Sequence, residues 1–86
     1  MPPLPAVTLY GRDGCPLCEE AAKLLASLAP RLGFVVERVD IESGDELLRR
    51  YIFEIPVVAV AGRDVAKAPI YPGPLEDALR EALRPG

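Results

Sequence analysis

Short continuous apolar runs alternate along this chain with stretches in which apolar residues recur at helical spacing. Ala6-Val7-Thr8-Leu9-Tyr10 combines β-branched, aliphatic and aromatic residues and is stopped by Gly11, which predicts a buried strand followed by a tight loop from Gly11 to Gly14. Leu17, Ala21, Leu24, Leu25 and Leu28 then fall on one helical face. Pro16 suits the first helical position, where its missing N–H would have had no intrahelical partner, so Cys15 is placed at a helix N-terminus. Pro30 conflicts with a continuing helix, whereas Arg31-Leu32-Gly33 reads as a last turn with Gly33 as the stop; either a kink or an early end follows.

Phe34 to Asp40 reads as a second strand, and its helical connection to the first implies parallel pairing in a βαβ unit. Ser43 and Glu46 have the spacing of a capping box and open a second short helix carrying Leu47, Leu48 and Tyr51. Val57-Val58-Ala59-Val60 is a third, fully apolar strand, and Gly62-Arg63-Asp64 suggests a hairpin into a short edge strand at Val65. Gly73-Pro74 marks the start of a last helix, with Leu75, Ala78, Leu79, Ala82 and Leu83 on its apolar face and Glu76 and Asp77 near its positive end. The expected architecture is α/β, in the order βαβαββα, with a four-stranded mixed sheet flanked by three helices. Residues 1–86 are expected to form one domain, with residues 1–5 as a Pro-rich N-terminal extension.

Composition narrows the chemistry. There is no histidine and there are only two cysteines, which removes imidazole general bases and most metal sites. The eight arginines are scattered and the net charge is −3, so no basic stripe is present for nucleic acid. No apolar run reaches bilayer length, and the N-terminal residues lack the basic start and apolar stretch of a signal peptide, so a cytoplasmic protein without membrane or nucleic-acid partners is expected. Asn, Gln and Trp are absent while Ala, Arg, Pro and Leu abound, as in a thermophile avoiding labile amides, although a GC-rich genome gives part of the same bias.

Cys15-Pro16-Leu17-Cys18 carries the candidate chemistry. The spacing brings two sulfurs within bonding reach at the start of a helix. There the first sulfur meets unpaired backbone N–H groups and the positive end of the dipole, while the second lies one turn inside. Cys15 is therefore the expected nucleophile and Cys18 the resolving thiol. A free thiol with a pKa of about 8.5 is only a few per cent ionised at pH 7, whereas a pKa near 7 makes about half of it thiolate. Arg12 would favour the thiolate; Glu19 and Glu20 would oppose it unless they point to solvent. The same four residues could be half of a zinc site, but with no further Cys and no His, metal or iron–sulfur binding would need a dimer through Cys15 or external thiols. A redox-inactive binding module, with the cysteines serving as small core residues, is a third reading.

Val7-Thr8-Leu9-Tyr10, the Cys15–Cys18 motif and Ile55-Pro56-Val57-Val58 together resemble the glutaredoxin family, especially its short bacterial glutaredoxin-like members, over almost the whole chain. The resemblance implies a thioredoxin-like fold and a thiol-disulfide oxidoreductase whose redox-active disulfide joins Cys15 and Cys18. It implies a cis Pro56 facing the pair and an Ile55 backbone that pairs with the substrate as an added strand, although by residue type alone Pro56 would be a trans proline at a strand start. Arg12, Pro16, Leu17, Ile55 and Pro56 are the expected substrate contacts. Glutathione-binding members usually carry a Gly-Gly pair after the hairpin, where Ala66-Lys67-Ala68-Pro69 stands here, and an aromatic residue where Leu17 stands. The expectation is thus a monomer with no bound cofactor or metal, acting on protein or low-molecular-weight disulfides. Glutathione or another small thiol is a candidate co-substrate, and a separate electron donor is needed.

Overall fold

A computed structural model of the chain describes residues 3–85. The elements are β1 (Ala6–Gly11), α1 (Pro16–Leu32), β2 (Val35–Asp40), a single 3₁₀ turn (Ile41–Ser43), α2 (Asp45–Tyr51), β3 (Val57–Val60), β4 (Arg63–Lys67) and α3 (Pro72–Ala82). The sheet order is β2-β1-β3-β4, with β1 parallel to β2 and both β1–β3 and β3–β4 antiparallel. The expected α/β order and mixed four-stranded sheet are present. Of the Pro-rich N-terminal segment, residues 1 and 2 lie outside the described residues; the Pro5 carbonyl accepts the N–H of Val35 at 2.9 Å and so extends the β1–β2 ladder.

The strand period of two sorts side chains onto the two sheet faces. Val7 and Leu9 of β1 and Val58 and Val60 of β3 meet Ala21, Leu25 and Leu28 of α1 and Leu75 and Leu79 of α3 in the larger core. Tyr10 and Val57 point the other way and pack with Ile41, Leu47, Leu48 and Tyr51 against α2. All four residues of β3 are buried because helices cover both of its faces, which is why the run reads as continuously apolar.

The Gly33 stop of α1 agrees with the sequence reading, while other local boundaries differ from it for identifiable reasons. Helix α1 continues through Pro30 to Leu32 and ends at Gly33, whose φ of 79° is left-handed; the N–H groups of Gly33 and Phe34 both reach back to Ala29 O, at 2.8 and 3.2 Å. Phe34 is thereby turned into the core and β2 starts one residue later than expected. The capping box does not form. Asp40 caps the 3₁₀ turn by accepting the Glu42 N–H at 2.8 Å, and the Ser43 hydroxyl donates to Asp40 O at 2.6 Å, so α2 starts behind Gly44 without a side-chain cap. The hairpin turn is Ala61-Gly62, both with positive φ (52° and 78°), which puts Arg63 and Asp64 already in β4. Helix α3 begins at Pro72, so Gly73 and Pro74 lie inside its first turn rather than before it.

Candidate functional site

The chain leaves β1 at Gly11, crosses an exposed loop through Arg12, Asp13 and Gly14, and enters α1 at Cys15. Gly14 has φ of 72°, a conformation glycine takes without strain, and it turns the loop into the helix. Cys15 is the N-cap residue of α1, and its Sγ accepts the backbone N–H of Cys18 at 3.1 Å. With Pro16 lacking an N–H, this sulfur serves the donor that a capping Ser or Asp would ordinarily satisfy. Cys15 and Cys18 are joined by a disulfide, with Cα atoms 5.2 Å apart. Cys15 is half-buried, whereas Cys18 is wholly inaccessible. The two sulfurs therefore differ in access, that of Cys15 lying partly at the surface and that of Cys18 beneath it.

Gly11 contributes to that burial, a role hidden from the sequence reading, in which it was only a strand stop. A Cβ there would lie 3.1 Å from the Cys18 sulfur, tighter than an ordinary contact, so the close approach of β1 to α1 favours a glycine. Pairing in β1 and the position of Cys18 one turn into α1 are the only signals that could have marked it.

The expected site residues separate into two groups. Leu17 and the buried Pro56 line one groove, together with Leu24 on α1 and Ala68 to Tyr71 before α3. The Ile55–Pro56 bond is cis, as the resemblance implied, and the Pro56 carbonyl accepts the Ala68 N–H at 3.0 Å. The neighbouring Ala68–Pro69 bond is cis as well, which nothing in the sequence signalled. Ile55 packs on the α2 side of the sheet, and its N–H donates to Tyr51 O at 3.1 Å. Pro16 is exposed beside Cys15.

Arg12 does not join that groove. It lines a separate polar pocket at the ends of β1 and β2 with Gly11, Asp13, Glu19, Arg38 and Asp40. There Arg38, a residue the sequence reading passed over, reaches from β2 to grip both carboxylate oxygens of Glu19. The hydrogen bond and charge of Arg38 hold the Glu19 carboxyl below the usual carboxylate range, and Glu19 in turn raises Arg38. The carboxylate one helical turn beyond Cys15 is thus paired with a cation across the end of the sheet instead of facing the sulfur unopposed. Glu20 is exposed and borders the groove.

On the far side of the sheet Tyr51 stacks on Tyr10, with ring centroids 4.4 Å apart, and its hydroxyl donates to Asp64 of β4 at 3.0 Å. Arg50 sits over the same ring and faces Asp64 at 3.8 Å. Burial, reinforced by Asp64, pushes the Tyr51 phenol up to about 12. This cluster braces α2 against the hairpin and does not reach the cysteines. Among the described residues no group of three or more His, Cys, Asp or Glu side chains is arranged to hold a metal ion, and no helix is long and apolar enough to cross a membrane.

Residues 6–84 match the family model of the glutaredoxin-like domain (DUF836). The chain belongs to this glutaredoxin-like family. The resemblance read from Cys15–Cys18 and Ile55–Val58 therefore holds over nearly the whole chain. A solved structure of a protein from X. campestris is 32% identical, with 88% of this chain and 97% of that one covered and a TM-score of 0.74. The solution structure of protein Ne2328 from Nitrosomonas europaea is 27% identical over 98% of this chain and 96% of that one, with a TM-score of 0.78. A malarial protein at 15% identity, covering 92% of this chain and 97% of that one, shares the fold with a TM-score of 0.63. The fold of the glutaredoxin-like chain is thioredoxin-like.

Proposed function

We propose that this glutaredoxin-like protein is a dithiol–disulfide oxidoreductase. The observation that carries the reading is the Cys15 sulfur at the cap of α1, accepting the Cys18 N–H and bonded to an inaccessible Cys18. In the reduced protein the same N–H would meet a thiolate, a charge-assisted hydrogen bond that adds to the helix dipole in favouring ionisation.

Cys15 thiolate attacks one sulfur of a substrate disulfide, forming a Cys15–substrate disulfide and releasing the other substrate sulfur as a thiolate. Cys18, giving up its proton, then attacks Cys15 Sγ; the intramolecular disulfide forms and the second substrate thiolate leaves. Two electrons pass from the protein to the substrate, which takes up protons from water, and the oxidised pair is returned to the dithiol by an external thiol donor. Arg12, Pro16, Leu17, the Ile55 carbonyl and Pro56 are the substrate contacts in this reading. It describes a monomer working in the cytoplasm, with no bound cofactor or metal, on protein or small-molecule disulfides and with glutathione or another small thiol as candidate donor.

The test is turnover of a disulfide substrate with a dithiol donor. Wild type should accelerate reduction, and Cys15→Ser should fall to the uncatalysed rate. Full turnover by Cys15→Ser would overturn the reading.

A further inference from the structure

The groove beside the redox pair, about 300 Å³ in volume, is bounded by Leu17 and Leu24 of α1, by Pro56, and by Pro69, Ile70 and Tyr71 before α3. Leu17 and Tyr71 on its rim are 55% and 60% exposed, so the groove presents apolar surface to solvent beside the redox pair. Glu20 is the one charged side chain among the lining residues. The nearest cation along the chain from Ala68 is Lys67, and it is engaged by Glu54 at 3.4 Å.

The start of α3, next to Tyr71, is poorly equipped to bind an anion. Pro72 and Pro74 have no N–H, Tyr71 offers no side-chain cap, and the Leu75 N–H donates to Tyr71 O at 3.0 Å. Of the four backbone N–H groups that a helix start ordinarily presents to a carboxylate, Pro72 and Pro74 remove two, so that only those of Tyr71 and Gly73 can serve. Apolar walls, one carboxylate and a helix start short of donors form a surface that favours apolar side chains and cations over carboxylates.

Resting on the dithiol reading, we infer that this groove is a polypeptide-docking site which selects disulfides flanked by an apolar side chain and a Lys or Arg, and which discriminates against glutathione. The apolar side chain lies against Leu17, Pro56 and Ile70 while the cation faces Glu20. Glutathione carries two carboxylates and one ammonium, so it arrives with net negative charge at a groove whose one lining charge is the Glu20 carboxylate.

The test uses mixed disulfides of 5-thio-2-nitrobenzoate with three thiols: a Leu-Cys-Lys peptide, a Leu-Cys-Glu peptide and glutathione. Attack by Cys15 on the peptide or glutathione sulfur forms the Cys15 mixed disulfide and expels the coloured thiolate, whose release gives the rate; Cys18 then displaces the bound thiol. Bis(2-hydroxyethyl) disulfide, small and uncharged, reports the redox pair alone. The reduced protein should react about tenfold faster with the Leu-Cys-Lys peptide than with glutathione, and Glu20→Lys should invert the ratio of Lys-peptide to Glu-peptide rates, a change of about three- to tenfold. Leu17→Ser, which removes the apolar contact without adding charge, should lower the Leu-Cys-Lys rate relative to that for the uncharged disulfide. Glutathione reacting as fast as the peptides, or rate ratios untouched by Glu20→Lys and Leu17→Ser, would overturn the docking site while the dithiol reading stands. Inertness of the wild type toward the uncharged disulfide would instead overturn the dithiol reading, and the inference with it.

Discussion

At the scale of single residues, the reactivity assigned to Cys15 depends on which charges reach it. The thiolate is favoured by the α1 terminus and by the Cys18 N–H, and it is disfavoured by Glu19 one turn further on. Arg38 offsets Glu19 from across the sheet. Removing Arg38 should therefore leave an unopposed carboxylate near the sulfur, and removing Glu19 should do the reverse. We expect Arg38→Ala to slow alkylation of reduced Cys15 at pH 7 by about twofold at low salt and Glu19→Gln to speed it. The difference should shrink at high ionic strength, because both partners are exposed. Equal effects of the two substitutions would mean that the pair only braces α1. The two cysteines were legible because their residue type and spacing are themselves the signal, whereas Pro56 was legible only through the family resemblance, residue type alone favouring a trans proline at a strand start. Gly11 and Arg38 were not, since their roles arise from β1 lying against Cys18 and from β2 lying near Glu19, contacts made only when the chain folds.

Among the elements, α2 is the one least able to hold itself in place. It spans Asp45–Tyr51, has no side-chain cap, and is fastened chiefly by Tyr51 packing on Tyr10 and bonding to Asp64. The raised phenol gives this fastening a pH signature. Below about pH 10 Tyr51 is neutral in the folded and unfolded chain alike; between pH 10 and about 12 the unfolded chain releases the proton while the folded chain keeps it. Stability contributed by Tyr51 should thus fall as pH rises through that window. In the oxidised protein, Tyr51→Phe should cost about 1 kcal/mol at pH 8, measured by urea unfolding, and the gap to wild type should close toward pH 12. Parallel stability curves would contradict the assignment. Element identities were readable from apolar period, but their ends were decided by hydrogen bonds with no unique sequence signature. Ser43 and Glu46 have capping-box spacing, yet Asp40 captures the Ser43 hydroxyl through its carbonyl and moves the helix start. Proline at position 30 did not end α1, because the stop is made by Gly33 and Phe34 bonding to Ala29 O.

For the whole molecule, the sheet order explains how distant segments meet at one place. Parallel pairing puts the ends of β1 and β2 together at Gly11 and Asp40, beside the loop that leads to Cys15. Antiparallel β3 starts beside the end of β1, with Val57 opposite Tyr10, so Pro56 arrives at the same end of the sheet. The Ala68 N–H ties the exit from β4 to Pro56, which brings residues 68–71 alongside. The βαβαββα order was readable from pattern alone, whereas the groove was not, since it joins residues 17–24, 56 and 68–71. The central claim is that Cys15 forms the covalent bond to substrate and Cys18 resolves it. The most direct measurement is mass spectrometry of reduced Cys18→Ser incubated with a disulfide substrate. A one-to-one adduct mapped to Cys15, removed by excess dithiol and not accumulating on wild type, is the expected result; no adduct, or an adduct that also forms on Cys15→Ser, would refute the mechanism.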